Sequence, residues 1–146
     1  MKAQDVMSAN PTCVTPDAAV RDVAQLMKRD NVGVIPVIES TSSHQLVGVV
    51  TDRDIAIRVI GEGKDSSTPV GEIMTTNVRT HLAGDPLEKI MSTMAGEQLR
   101  RVLIVDDRGS LIGIVSQADI VLEAGNEQKA AVTIEKISTP GTKGRT

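Results

Sequence analysis

Two stretches of this 146-residue chain carry one pattern, and that repetition limits the available folds more than any other feature. Val6-Met7-Ser8 returns as Ile73-Met74-Thr75, 67 residues on (6 to 73). At the same offset Val20, Val23, Ala24 and Met27 return as Leu87, Ile90, Met91 and Met94. Each quartet falls at i, i+3, i+4 and i+7, the apolar stripe of an amphipathic helix. Val34-Ile35-Pro36-Val37-Ile38-Glu39 then matches Arg101-Val102-Leu103-Ile104-Val105-Asp106, runs of branched residues that favour short strands. The chain re-enters as Leu46-Val47-Gly48-Val49-Val50 and as Leu111-Ile112-Gly113-Ile114-Val115. That offset is 65 (48 to 113), because the first turn, Ser40 to Gln45, is two residues longer. The second turn, Asp107-Arg108-Gly109-Ser110, is a tight hairpin signal. A helix follows each hairpin and ends at a glycine in the C-cap position, Gly61 and Gly125.

Each half therefore reads as a short leading helix, an extended strand, a helix, a two-stranded hairpin and a closing helix. Neither half has a comfortable core alone, whereas two packed face to face could share one. The expected fold is α/β (α+β), two β-α-β-β-α repeats with pseudo-two-fold symmetry. The repeats span 3–61 and 69–125, joined by a polar linker at 62–68. Residues 126–146 read as a flexible tail, with Val132 to Ile137 as their apolar stretch and a docking strand as the alternative.

The core of such a chain must be aliphatic, because Phe, Tyr and Trp are absent. That excludes aromatic platforms for stacking bases, cation–π cages and tyrosine acid–base chemistry. The net charge of −3 gives no basic footprint for nucleic acid. Cys13 is alone, so neither an internal disulfide nor a multi-cysteine zinc site is expected. His44 and His81 lack metal-ligand spacing. No run has the length of a membrane span, and the N-terminus turns acidic at once. The expected setting is a reducing cytoplasm, with no metal and no membrane.

The chemistry lies where strand meets helix. Gly48-Val49-Val50-Thr51-Asp52-Arg53-Asp54 and Gly113-Ile114-Val115-Ser116-Gln117-Ala118-Asp119 share the pattern Gly, apolar, x, Thr/Ser, x, x, Asp. Thr51 or Ser116 begins a helix, where its hydroxyl and the free N–H groups of the first turn can hold a phosphate. Asp54 and Asp119 lie one turn on, and a carboxylate there can accept from both hydroxyls of a ribose. In-strand Gly48 and Gly113 admit close approach of a backbone or ligand. The same Thr/Ser-x-x-Asp is also a capping box with Asp for the usual Glu. Its recurrence behind an in-strand glycine in both repeats favours a nucleotide site in at least one.

On these residues the chain resembles a tandem pair of CBS (cystathionine β-synthase) domains, over about residues 3 to 124. Thr51 to Asp65 is especially similar to small stand-alone bacterial pairs. The resemblance implies a regulatory adenine-nucleotide sensor that binds AMP, ADP, ATP or a related adenosyl compound, with no cofactor and no catalysis. It also implies a homodimer and, with no catalytic domain, a protein target acted on in trans. Carried over residue by residue, it implies two candidate clefts. The first comprises Ser116, Asp119, Ile114, Val32, Gly33, Met7 and Thr12, with Arg100 and Arg101 toward the phosphates. The second comprises Thr51, Asp54, Val49, Leu99, Met74 and Arg79, with Gly33 and Val34 replacing the arginine pair. The second lacks cations near its phosphates unless Arg53 or Arg79 reaches in, so the first cleft ranks higher, although Arg100 and Arg101 could equally be solvated strand-edge charges. The rival reading is a structural or interaction homodimer whose sites are vestigial caps.

Other features point away from chemistry. Gly61-Glu62-Gly63-Lys64 follows a helix and lacks a Ser/Thr after the lysine, so it reads as a helix stop rather than a phosphate loop. Asp52 with Asp54 has no third ligand nearby for a metal. Met7, Met27, Met74, Met91 and Met94 read as core filler, and Cys13 as a small apolar residue.

Overall fold

The apolar stripes do become helices with buried faces. In a computed structural model that describes residues 1–123, the elements in chain order are α1 (Ala3–Val6), β1 (Ser8–Ala9), α2 (Val20–Asp30), β2 (Val34–Ile38), β3 (Leu46–Thr51) and α3 (Asp52–Asp54), which continues as a π-helix (Ile55–Ile60). A 3-10 turn (Val70–Glu72) follows, then β4 (Thr80–Leu82), α4 (Leu87–Glu97), β5 (Arg101–Val105), β6 (Leu111–Ser116) and α5 (Gln117–Glu123). Gly125 and the expected tail at 126–146 lie outside the described residues.

Leu87, Ile90, Met91 and Met94 are all buried on α4, as their spacing demands. On α2 only Val20, Val23 and Met27 are buried; Ala24 is exposed, and Leu26 is half-buried against the core instead. The centre of the buried arc lies between Val20 and Val23, which leaves Ala24 on the solvent rim. Both helices stop the same way. Asn31 and Gln98 turn left-handed (φ 53° and 59°), and their N–H groups bond the carbonyls of Met27 and Met94. The closing helix of the first repeat ends at Gly61, but Gly61 keeps a right-handed φ of −62°. A Cβ there would stand 2.6 Å from the Ile57 carbonyl oxygen, and that crowding is the reason for glycine. The left-handed residue is Gly63, at φ +69°, and the Lys64 N–H bonds back to the Val59 carbonyl. Gly61 to Lys64 is thus a helix stop.

The chain divides into two compact units, Thr12–Val78, and Met1–Pro11 together with Arg79 onward. Within Thr12–Val78, β2 and β3 form an antiparallel hairpin that pairs Val34 with Thr51. Single bridges extend it on both sides, Val14 parallel to Val37 and Thr75 antiparallel to Val49. The other unit holds a four-stranded sheet in the order β1-β6-β5-β4, with β4 parallel to β5 and Ser8 paired with Ile114. The order matches: Thr75, β3, β2, Val14 in one unit answer β1, β6, β5, β4 in the other. Ser8 and Thr75, the equivalent leader residues, thus pair with the hairpin of the repeat they do not precede. The compact units therefore cut the chain at Thr12 and Arg79, whereas the sequence repeats divide it at the linker 62–68. Each unit has its own aliphatic core. Val20, Val23, Ile35, Val37, Val50, Val59 and Ile73 fill one, and Val6, Ile90, Met94, Val102, Ile104, Val115 and Ile120 fill the other.

His81, solitary in the sequence, is buried in β4 and fully engaged. Its Nδ1 lies 3.0 Å from Asp85 Oδ2 and its Nε2 2.8 Å from the Thr93 hydroxyl. The Leu82 N–H donates to the same Asp85 oxygen at 3.0 Å. That backbone bond first, then His81 and the charge of Lys89, hold the Asp85 carboxyl below the ordinary carboxylate range. A depressed acid stabilises the fold above its unfolded pKa, about 4, and ceases to as pH falls through its folded pKa. Asp85→Asn is therefore expected to be less stable than wild type at neutral pH, with the difference narrowing below about pH 4. Urea unfolding across pH 3 to 8 checks this; a gap independent of pH would refute it.

Candidate functional site

At the end of β3 the backbone of Thr51 stays extended (φ −111°, ψ 162°) and α3 begins. The Asp54 N–H donates to Thr51 Oγ1 at 3.0 Å, and the Thr51 N–H donates to Asp54 Oδ2 at 3.0 Å. This is the reciprocal capping box its spacing allows. Asp54 is 8% exposed and has further partners. The Thr75 hydroxyl lies 3.4 Å from both carboxylate oxygens, and Arg58 Nε lies 3.8 Å from Oδ1. Arg58 also donates through Nη1 to the carbonyls of Ile73 and Met74, at 3.1 and 3.5 Å. The junction is thereby fastened to the 73–75 segment, whose Thr75 exchanges two backbone bonds with Val49, 2.8 and 2.9 Å long.

The first turn of α3 has another acid. The Asp52 N–H bonds the Gly33 carbonyl at 2.9 Å, while Asp52 Oδ1 accepts from the Arg53 N–H at 2.8 Å. A Cβ on Gly33 would stand 3.0 Å from Asp52 Oδ2. Thr51, Asp54, Val49, Met74, Val34, Gly33 and Val32 all belong to this unit. Thr12 belongs to it too, but its hydroxyl donates to Asp30 Oδ2 at 3.0 Å and accepts from Arg29 at 3.4 Å. Arg29 first, and Thr12 after it, hold the Asp30 carboxyl below its usual range.

The equivalent junction after β6 has the same box with longer bonds. The Asp119 N–H donates to Ser116 Oγ at 3.1 Å, and the Ser116 N–H donates to Asp119 Oδ2 at 3.1 Å. Both residues are half-buried, and among the described residues no further donor reaches Asp119. Arg101 pairs directly with Ser116 across β5 and β6, and the Arg100 carbonyl accepts the Gln117 N–H at 3.0 Å. Among the described residues neither guanidinium forms an ion pair. Gln117 Oε1 is buried without a hydrogen-bond partner among the described residues, a costly state for an amide oxygen. Ile114 and Met7 lie in this unit with Ser116, Asp119, Arg100 and Arg101. Leu99 packs against its core, and Arg79 forms an ion pair with Glu97.

The in-strand glycines answer chiefly to methionine. A Cβ on Gly113 would collide with Met7, with Cγ at 2.9 Å and Sδ closer still. A Cβ on Gly48 would stand 2.9 Å from Met74 Sδ and 2.8 Å from the Thr75 carbonyl oxygen. Three residues at the junctions were not singled out as ligands by the sequence: Arg58, Thr75 and Gln117. Arg58 had a signal, since i,i+4 from Asp54 puts opposite charges on one helical face. Thr75 had one too, as the repeat partner of Ser8. Cys13 is half-buried, and burial pushes its thiol up, away from nucleophilic behaviour. Among the described residues no three His, Cys, Asp or Glu side chains gather as a metal site. None of the described helices is long and apolar enough to cross a membrane.

Two α/β units of one strand order, each with an in-strand glycine and a Thr/Ser-x-x-Asp junction at that strand's end, define a tandem-repeat protein of the β-α-β-β-α class. The chain belongs to the CBS domain family, whose profile matches residues 3–61 and 70–125. The CBS domain-containing protein YhcV of Bacillus subtilis is 38% identical over 138 residues, 92% of this chain and 94% of YhcV. A crystal structure of Hypoxic Response Protein I with two coordinated zinc ions superposes with a TM-score of 0.74 at 31% identity, over 84% of this chain and 98% of that one. CBSX2, crystallised in complex with AMP, superposes with a TM-score of 0.71 at 27% identity, over 92% of this chain and 98% of that one.

Proposed function

We propose that this chain is a regulatory module that binds an adenine nucleotide or related adenosyl ligand at its strand–helix junctions and signals by a change of shape or of partner surface. The observation that carries this reading is the Ser116–Asp119 junction. Among the described residues, a half-buried carboxylate with an open oxygen, an unsatisfied Gln117 oxygen and two unpaired arginines lie within one unit. The AMP complex of CBSX2 supports the choice of ligand class. No nucleophile–base pair accompanies these residues, so the role is sensing rather than turnover. The reading includes a cytoplasmic homodimer that acts on a protein target in trans. Exposed Ile57 and Ile60 on the first closing helix, and Leu122 on the second, are suitable dimer contacts.

Calorimetric titration of wild type with AMP, ADP and ATP tests the proposal, alongside Asp119→Ala. Binding to wild type is expected, and loss of the carboxylate's two ribose bonds should weaken it about 100-fold. Wild type that binds no adenosyl ligand would overturn it. The completeness of the Thr51–Asp54 capping box favours the second reading, a structural homodimer with vestigial sites, for that junction alone. Extended to both junctions, that reading expects no thermal shift with any nucleotide.

A further inference from the structure

Resting on the reading of the junctions as adenosyl sites, we infer that the two differ in ligand class: Ser116–Asp119 takes the phosphorylated ligand, and Thr51–Asp54 refuses phosphate. The junctions correspond position by position, so their differences can be compared directly. Across the hairpin Thr51 faces Val34, and Ser116 faces Arg101. Next to these stand Gly33 in one unit and Arg100 in the other. Ser116 thus has an arginine directly opposite and a second one next along the chain, and Thr51 has neither.

The residue that follows the hydroxyl differs as well. Asp52 lies beside Gly33 with its carboxylate on the Arg53 N–H at 2.8 Å, so this position holds an acid engaged within its own unit. Its counterpart Gln117 is neutral, and its buried oxygen lacks a partner among the described residues. An amide can rotate to offer its NH₂ to an anion; a carboxylate cannot.

The ribose side diverges in the same sense. Asp54 is already met by the Thr75 hydroxyl and by Arg58, which also holds the Ile73 carbonyl at 3.1 Å. In the other unit Ser8 takes the place of Thr75 and is exposed, and the residue in register with Arg58 is Glu123. No arginine stands one turn beyond Asp119 to neutralise it. The Thr51–Asp54 junction is satisfied from within, and the Ser116–Asp119 junction is left to an outside ligand.

The test is calorimetric titration of the full chain with AMP and, separately, with adenosine. Wild type is expected to bind one AMP per chain. Arg100→Ala with Arg101→Ala should weaken AMP about tenfold or more while adenosine stays within about twofold. Both arginines lie outside the cores, so this variant should fold. Asp52→Gln with Arg58→Ala removes both obstacles and should raise the AMP stoichiometry toward two. Two AMP per wild-type chain would overturn the assignment while sparing the nucleotide reading. So would equal weakening of AMP and adenosine by the arginine variant, or a stoichiometry that stays at one in the Asp52/Arg58 variant. Wild type that binds neither AMP nor adenosine would overturn both.

Discussion

Gly48→Ala is expected to destabilise the protein by about 3 kcal/mol, and Gly113→Ala by about 1 kcal/mol or less. The two glycines are equivalent in the repeat, and both face a methionine of a leader segment. They differ in what else lies within reach. At Gly48 the nearest atom to an added Cβ is the Thr75 carbonyl oxygen, at 2.8 Å. That carbonyl accepts the Val49 N–H at 2.9 Å, so relieving the clash means displacing a paired backbone. The cost combines overpacking with the loss of bonds worth about 1 kcal/mol each. At Gly113 all three nearest atoms are on the flexible side chain of Met7, which can move aside. Urea unfolding of the two variants checks the order. Adding Met7→Ala to Gly113→Ala should recover part of the loss, whereas Met74→Ala should recover little of the loss in Gly48→Ala. Equal penalties at the two glycines would refute the account.

What was legible in the sequence was whatever depends on neighbours along the chain. Leu87, Ile90, Met91 and Met94 announce a buried helical face, and all four are buried. Asp107-Arg108-Gly109-Ser110 announces a hairpin, and Gly109 there has a φ of +82°. The junctions were legible as capping boxes, and both boxes form. The pairing of the leaders was not legible. Nothing local in Ser8-Ala9 says that it will lie against Ile114 and Gly113, more than 100 residues away. Strand pairing at such a distance rests on complementary surfaces that exist only after folding.

The same limit hid the meaning of single residues. In-strand glycine signals a close approach without naming the visitor, and here the visitors are Met7 and Met74. Arg58 reads as a solvated helix charge until the carbonyls of Ile73 and Met74 are placed beside it. His81 has no metal-type spacing, yet Asp85 four residues on and Thr93 twelve on give it partners. Ala24 shows the converse failure. Its spacing was right and its position was not, because the apolar arc of α2 is centred off its side.

The contrast between the junctions also predicts an inequality of stability. Asp54→Ala is expected to cost about 3 kcal/mol, and Asp119→Ala about 1 kcal/mol, in the absence of ligand. Each substitution removes one capping carboxylate, worth about 1 kcal/mol at a helix start. Asp54→Ala in addition leaves the Thr51 N–H inside a buried site, deprives the Thr75 hydroxyl of its acceptor and strips Arg58 of its counter-charge. The exposure of Arg58 keeps the ion-pair share small, so most of the difference comes from buried donors left unmet. Asp119 is half-buried, and among the described residues the Ser116 N–H is the one donor that reaches its carboxylate, so water can replace much of what is lost. A saturating adenine nucleotide should then invert the order for binding, since the weakly held carboxylate is the one free to receive a ribose. Thermal unfolding with and without AMP separates the effects. Wild type and Asp54→Ala should both gain melting temperature with ligand, and Asp119→Ala should gain much less. Equal destabilisation by the two substitutions would mean that Thr75 and Arg58 contribute nothing at Asp54, and the inequality of the junctions would fall with it.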